Sequence, residues 1–225
     1  VFIQIMNTLS KTLALLHAAD VGPFRLAQWG GQRSIHTVYE QMFKNRSPDK
    51  KKIERDLRWA SKDGHHIIMR SDKAYPYALS QIEDAPALLF VRGDLSLFQR
   101  SMVAVVGARK AGSVSEQEAR RLGCDLSLSG CVVVSGLAYG VDAAAHRGAL
   151  DASSPTVAVL AGGLDRVYPV AHQSLADKLL DLGGALVSEQ PLGQTIKPYY
   201  FPKRNRIISG LSQAVVLVAC AIRSG

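Results

Sequence analysis

Cysteine is scarce in this chain of 225 residues: Cys124, Cys131 and Cys220 are widely spaced and odd in number, and no Cys-x-x-Cys pair occurs. Zinc and dithiol redox motifs therefore find no support. Each cysteine sits in an apolar run and reads as a small buried hydrophobe, which fits a reducing compartment. Long apolar runs are lacking too. The opening Val1-Phe2-Ile3-Gln4-Ile5-Met6 is too short to cross a membrane, and no cleavable signal pattern follows. The expectation is a soluble cytoplasmic protein with no membrane partner. Low-complexity tracts, short-period repeats and the dinucleotide fingerprint G-x-G-x-x-G are also missing.

What is present is basic and apolar. Lysine and arginine total 27 against 19 acidic residues, a formal net charge of +8, which favours a polyanionic partner such as nucleic acid. Hydrophobic residues make up 47% of the chain, enough for a sizeable core.

Residues 1–64 read as a small helical domain. Leu9, Leu13, Leu16 and Ala19 follow a helical period, Gly22-Pro23 breaks it, and Phe24 to Trp29 starts a second helix. Ser47-Pro48-Asp49 reads as a helix start with Ser47 as the cap. The helix after it, through Ile53, Leu57 and Ala60, ends near Gly64. Lys50-Lys51-Lys52 on its first turn reads as a solvated charged face. Residues 65–100 read as a connecting segment with short strands at 67–69 and 88–91.

From residue 101 to 225 the pattern changes. Strands at 103–106, 132–134, 157–160, 185–187 and 215–218 are apolar throughout and alternate with helices near 114–129, 140–150, 171–182 and 204–212. That pattern means an α/β fold: a Rossmann-like, mostly parallel sheet with helices on both faces. Ligands in such sheets bind outside the carboxyl ends of the strands, so the strand tips are the place to look.

The first tip is Gly107-Ala108-Arg109-Lys110. Gly107 permits close approach of a ligand to backbone, and Arg109 is suited to grip a phosphate bidentately. Arg109 occupies the second Gly position of the dinucleotide fingerprint, and Ser135-Gly136 stands where a ribose-binding acid would be, so a dinucleotide is disfavoured. The second tip runs from Ser135 and Gly136 to Asp142, with glycines suited to a phosphate cradle. Asp142 and His146 share a helical face, but without a nucleophile or metal they read as a cap and a locally bonded histidine. At the third tip, Gly162-Gly163-Leu164-Asp165, Asp165 reads as a turn residue.

The richest stretch is Tyr199-Tyr200-Phe201-Pro202-Lys203-Arg204-Asn205-Arg206. Aromatic faces stack on unpaired bases while cations track phosphates. Equally, Tyr199 and Phe201 could anchor a loop while Arg204 and Arg206 make structural ion pairs.

These motifs occur in an order that closely resembles the bacterial DNA-processing protein A family, DprA, also called Smf. They are Gly107-x-Arg109, Ser135-Gly136-Leu137-Ala138-x-Gly140-Val141-Asp142-Ala143-Ala144-Ala145-His146, Gly162-Gly163-Leu164-Asp165, Tyr168-Pro169, Ser188-Glu189 and Phe201-Pro202-x-Arg204-Asn205-Arg206-Ile207-Ile208-Ser209-Gly210-Leu211-Ser212. The resemblance runs from about Asp72 to the end, and the N-terminal helices are loosely similar to the family's sterile-alpha-motif-like (SAM-like) domain. It implies a non-catalytic, cofactor-free protein that binds and shields single-stranded DNA during natural transformation and helps load the recombinase RecA. It also implies a homodimer formed through the Rossmann-like domain. The implied DNA-binding residues are Gly107, Arg109, Ser135, Gly136, Phe201, Arg204 and Asn205, with Lys203 and Arg206 as nearby cations. No catalytic residue and no metal ligand is implied. The sequence departs from the family pattern at Gly112, Ser115, Tyr139 and Val218-Ala219-Cys220. Because the family continues beyond the equivalent of Ser224-Gly225, the resemblance implies that the last domain is C-terminally truncated.

Two other functions remain open on sequence. One is a Rossmann-like nucleotide phosphoribohydrolase, for which Glu189 is the acid best placed at a strand tip; the motif Gly-Gly-x-x-Gly-Thr-x-x-Glu is missing. The other is a protein-interaction module that recruits RecA or a competence regulator.

Overall fold

The computed structural model describes residues 2–18, 21–29 and 34–220, with side chains from residue 8 onward. Ala19 of the expected helical period and the terminal Ser224-Gly225 lie outside the described residues.

Four helices come first: α1 (Phe2–His17), α2 (Gly22–Trp29), α3 (Ile35–Met42) and α4 (Lys50–Ala60). The cap of α4 is Asp49, whose carboxylate accepts the Lys52 N–H at 3.2 Å. The expectation of Ser47 is thus corrected: the helix starts two residues later, so Asp49 is the side chain in reach of an unpaired amide. The chain continues through β1 (His65–Met69), α5 (Tyr77–Ser80), β2 (Leu88–Gly93), β3 (Met102–Gly107), α6 (Ser113–Leu128), β4 (Val132–Ser135), α7 (Val141–Asp151), β5 (Thr156–Val159), α8 (Gln173–Asp181), β6 (Ala185–Ser188), α9 (Tyr200–Leu211) and β7 (Ala214–Ala219).

All seven described strands form one sheet in the order β1-β2-β6-β5-β4-β3-β7. Pairing is parallel from β6 to β7, while β2 pairs antiparallel with both β6 and β1. Residues 65–93 therefore extend the sheet of the Rossmann-like unit rather than merely connecting to it. Strands β4, β5 and β6 are buried along their whole length, which is why they read as unbroken apolar runs.

Alternate residues feed opposite faces. Val157, Val159, Val132 and Val134 pack with Ile207, Ile208 and Leu211 of α9. Val105 and Val133 meet Val141, Ala144 and Ala145 of α7 on the other face, and Ala158 and Leu186 meet Leu175 and Leu179 of α8. The helical unit shares that second core: Leu13, Leu16 and Trp59 cluster with Phe90 and Leu88 of β2, and the Trp59 and Phe90 rings lie 5.8 Å apart.

Strand β7 pairs only with β3, and its Val215 and Leu217 are exposed. The cysteines also depart from expectation. Cys124 and Cys131 are half-buried and Cys220 is exposed, because the first two flank rather than enter the core and the third follows the uncovered β7.

Candidate nucleic-acid interface

After β6 the chain crosses through α9 to the far side of β3, so strand order reverses at β3. The first turn of α9 then lies over the carboxyl ends of β3, β4 and β5. There a small pocket of about 50 Å³ is lined by Arg109 after β3, Gly136, Ala138 and Tyr139 after β4, Ala161, Tyr168 and Pro169 after β5, and Phe201 and Arg204 of α9. This is where ligands sit in open α/β sheets.

The rim is cationic and aromatic. The exposed Arg109 guanidinium lies 4.5 Å from the centre of the half-buried Phe201 ring. Phe201 in turn packs at 5.7 Å from the Tyr168 ring. Tyr139 and Tyr168 are 50% and 49% exposed, so both keep faces open to a stacking partner. Among the described residues Arg109 makes no ion pair, which leaves its charge available to an incoming anion. Lys203 is exposed one turn along α9, with its ammonium 5.8 Å from the Phe24 ring of α2.

The floor is built differently. Arg204 is 5% exposed and its Nη1 donates to the Gly136 carbonyl at 2.8 Å and to the Val159 carbonyl. It ties α9 to the tips of β4 and β5. Burial draws its pKa down to about 10, with Arg109 adding to the effect and Asp142 opposing it, so it stays charged at neutral pH. Its Nε donates to exposed Asn205 at 3.2 Å. Arg206 turns away from the pocket altogether. Its guanidinium bonds Glu189 through two nitrogens, at 2.9 and 2.7 Å, and lies 2.9 Å from Asp84. Burial opposes the Arg206 charge, but Glu189 and Asp84 outweigh it and raise its pKa.

The 199–206 stretch thus divides between the surface and the core. Phe201, Lys203 and Asn205 face outward, whereas Arg204 and Arg206 are structural.

The glycine and serine positions also have structural explanations. Ser135 is fully buried and its hydroxyl donates to the Val105 carbonyl at 2.6 Å, latching β4 to β3. A Cβ on Gly107 would lie 2.7 Å from the Ala219 carbonyl oxygen and 2.8 Å from Val141, so packing rather than ligand approach demands glycine there. A Cβ on Gly136 would meet the Arg204 guanidinium at 2.5 Å, so this glycine makes room for the arginine.

The β4 tip is closed by a carboxyl group of its own. Asp142, on the first turn of α7, accepts the N–H groups of Gly136 at 3.1 Å and Ala138 at 3.4 Å. Burial raises its pKa, with Arg204 and those amides opposing. Leu137 between them has φ of 57°, a costly conformation for a non-glycine residue. His172 helps hold it by donating from Nδ1 to the Leu137 carbonyl at 2.8 Å. Below, His146 donates from Nδ1 to Thr156 Oγ1 at 2.9 Å, since that hydroxyl is itself donating to the Val133 carbonyl at 2.7 Å. Burial pushes the His146 pKa down to about 3, helped by His172 and Arg204. Asp142 and His146 therefore orient and pack, as their sequence context suggested. Asp165 does likewise, accepting the Gly193 N–H at 3.0 Å.

A model of the family described as DNA recombination-mediator protein A matches residues 66–225. The chain belongs to this family. It is 43% identical over 176 residues to Protein Smf of Escherichia coli (strain K12), spanning 78% of this chain and 47% of that one. It is 37% identical over 175 residues to DNA processing protein DprA of Bacillus subtilis (strain 168), spanning 77% and 59%. Among solved structures, DNA processing protein A of Streptococcus pneumoniae superposes with a TM-score of 0.73 at 30% identity, over 97% of this chain and 78% of that one. DNA processing protein A of Helicobacter pylori, described for its unique single-stranded DNA binding mode, gives a TM-score of 0.62 at 29% identity, over 66% and 68%. The chain spans about half to three fifths of the length of the Escherichia coli and Bacillus subtilis relatives.

Within this family frame, Tyr139 and Tyr168 are the pocket residues that residue-by-residue reasoning did not single out as binders. The signal for Tyr168 was its place beside Pro169, directly after the third tip. In the sequence Tyr139 stands out only as a departure from the family pattern.

Proposed function

We propose that this chain binds single-stranded DNA without covalent chemistry, through backbone phosphates at Arg109 and through bases stacked on Phe201, Tyr139 and Tyr168. The observation that carries the proposal is the Arg109 guanidinium, without an acidic partner among the described residues, held 4.5 Å over Phe201. It joins a phosphate grip to a stacking platform in one place. The binding mode described for the Helicobacter pylori relative supports the single strand as ligand.

We extend this to the family role: shielding of incoming DNA in the cytoplasm during natural transformation, loading of RecA, and action as a homodimer. No described helix is long and apolar enough to cross a membrane. The phosphoribohydrolase alternative is disfavoured by the side chains it would need. Glu189 is buried and bonded through both oxygens to Arg206, and Asp142 is held by the amides of its own loop. A mobility-shift assay with oligo-dT and duplex DNA tests the proposal. Salt-sensitive preference for the single strand supports it, and equal or no binding at low salt overturns it. Release of free base from nucleoside monophosphates would revive the enzyme.

A further inference from the structure

The helical unit lies largely ahead of residue 66, where the family match begins, so nothing in that match accounts for it. A polar cleft of about 240 Å³, larger than the pocket on the strand tips, separates it from the Rossmann-like unit. Three cations line this cleft: Lys52 and Arg55 of α4 and Lys197 just before α9. Among the described residues no aspartate or glutamate lines it, and buried Asp56 beneath it pairs with His17 at 2.7 Å and Arg55 at 3.4 Å. Lys197 is exposed and makes no ion pair among the described residues. Among the described residues Lys52 pairs with exposed Asp49 at 3.3 Å, a contact that water and salt readily replace. Arg55 reaches across to the Leu192 carbonyl and fixes the far wall.

The cleft and the strand-tip pocket meet neighbouring stretches of the chain, Tyr199 and Tyr200 lining the one and Phe201 the other. Tyr199, 51% exposed, stands at the mouth of the cleft two residues before Phe201. Phe24 of α2 packs against Tyr199 at 6.1 Å and Tyr200 at 5.6 Å, and Lys203 lies over the same Phe24 ring at 5.8 Å. The start of α9 thus carries Phe201 beside Arg109, and Tyr199 and Lys203 against Phe24 beside Lys197.

We propose that this interdomain cleft is a second subsite for single-stranded nucleic acid, in which Lys197 and Lys52 take phosphates and Tyr199 takes a base of the strand leaving the Arg109 pocket. The assignment rests on the proposed function, because it extends the same strand. The chemistry is that of sequence-independent single-strand binders, where a cationic groove follows the backbone and aromatic faces receive bases. The helical unit then acts as the second wall of a binding channel.

The test compares oligo-dT of about 4 and about 20 nucleotides, bracketing the footprints of about 4–16 nucleotides known for single-strand binders. The double variant Lys52→Ala/Lys197→Ala changes two exposed side chains and should leave the fold intact, as a thermal melt verifies. Its affinity for the long strand should fall at least about fivefold, and the slope of log K against log salt should become shallower by about 1.4, two phosphates at about 0.7 each. Its affinity for the short strand should equal that of the unaltered protein. In the unaltered protein, a long oligonucleotide carrying 4-thiothymine should photocrosslink to the peptide containing Lys197 and Tyr199. Unchanged long-strand affinity and slope, with Arg109→Ala still weakening both strands, would overturn the cleft and leave the pocket standing. An unaltered protein that binds neither strand would overturn both.

Discussion

Arg109 and Arg204 line one pocket from two elements, the turn after β3 and the first turn of α9, and differ in where their donors go. Arg204 is buried and gives its hydrogen bonds to the carbonyls of Gly136 and Val159. Arg109 is exposed, lies over Phe201 and has no acidic partner among the described residues. The same side chain is thus a rivet in one case and, on the proposed function, a grip in the other. A rivet is recognised by loss of fold when it is removed, and a grip by loss of ligand. The floor of the pocket (Arg204, with Asp142 and His146 buried behind it) should behave as stability and the rim (Arg109, Phe201) as binding.

Removal of Arg204 should have the largest effect. Arg204→Ala strips partners from two tip carbonyls and leaves Asp142 without its nearest cation, so urea unfolding should show a loss of about 3–5 kcal/mol. A loss below about 1 kcal/mol would place Arg204 with the rim. Arg109→Ala should weaken oligo-dT binding by about 2 kcal/mol, roughly thirtyfold, the size of a lost charged hydrogen bond, with the melting temperature unmoved. A clear drop in melting temperature would erase the distinction from Arg204.

The floor should also respond to pH. His146 has its pKa lowered to about 3 by burial against an ordinary 6.5, so the unfolded chain binds the proton first on acidification. Its contribution to stability is present above pH 6.5 and is lost as pH falls towards 3. Between pH 7 and pH 5 this one group should cost about 2 kcal/mol. The difference between the unaltered protein and His146→Asn, measured by urea unfolding at each pH, should show that slope; parallel curves would mean that His146 is not desolvated. The smallest effect is expected on the rim. Phe201→Leu keeps apolar contact but loses the π face, and should weaken oligo-dT binding by about 1 kcal/mol without altering its salt slope.

The contrast between floor and rim was only partly legible in the sequence. The parallel strands were, because residues such as Val132-Val133-Val134 are buried on both faces and so are apolar without alternation. That β1 and β2 join the same sheet was not, since antiparallel pairing of β2 with β6 links residues almost a hundred positions apart. Helix α3 was not set apart within residues 1–64: Ile35, Val38, Tyr39 and Met42 recur at helical spacing and pack on the core, but the helix has only eight residues. At the site, the strand-tip position of Arg109 and the aromatic character of the stretch around Phe201 were readable, and the fold brings the two together. The inward turn of Arg206 was not, because it depends on Glu189 and Asp84, which meet it only after folding. Ser135 and Gly107 looked like ligand contacts for a related reason: small residues at a strand tip serve close packing and ligand approach equally well.

Asp142 has a consequence for selectivity. By occupying the Gly136 and Ala138 amides it leaves the β4 tip with little to offer a free phosphate. A lone nucleotide would meet a single open guanidinium and part of an aromatic surface, and would leave quickly. A polymer, once held at one phosphate, presents its neighbours at high effective concentration, so several weak contacts add up to firm attachment. On the proposed function, the loop that seals itself with its own carboxyl group would thereby favour chain length over base identity and keep mononucleotides from competing.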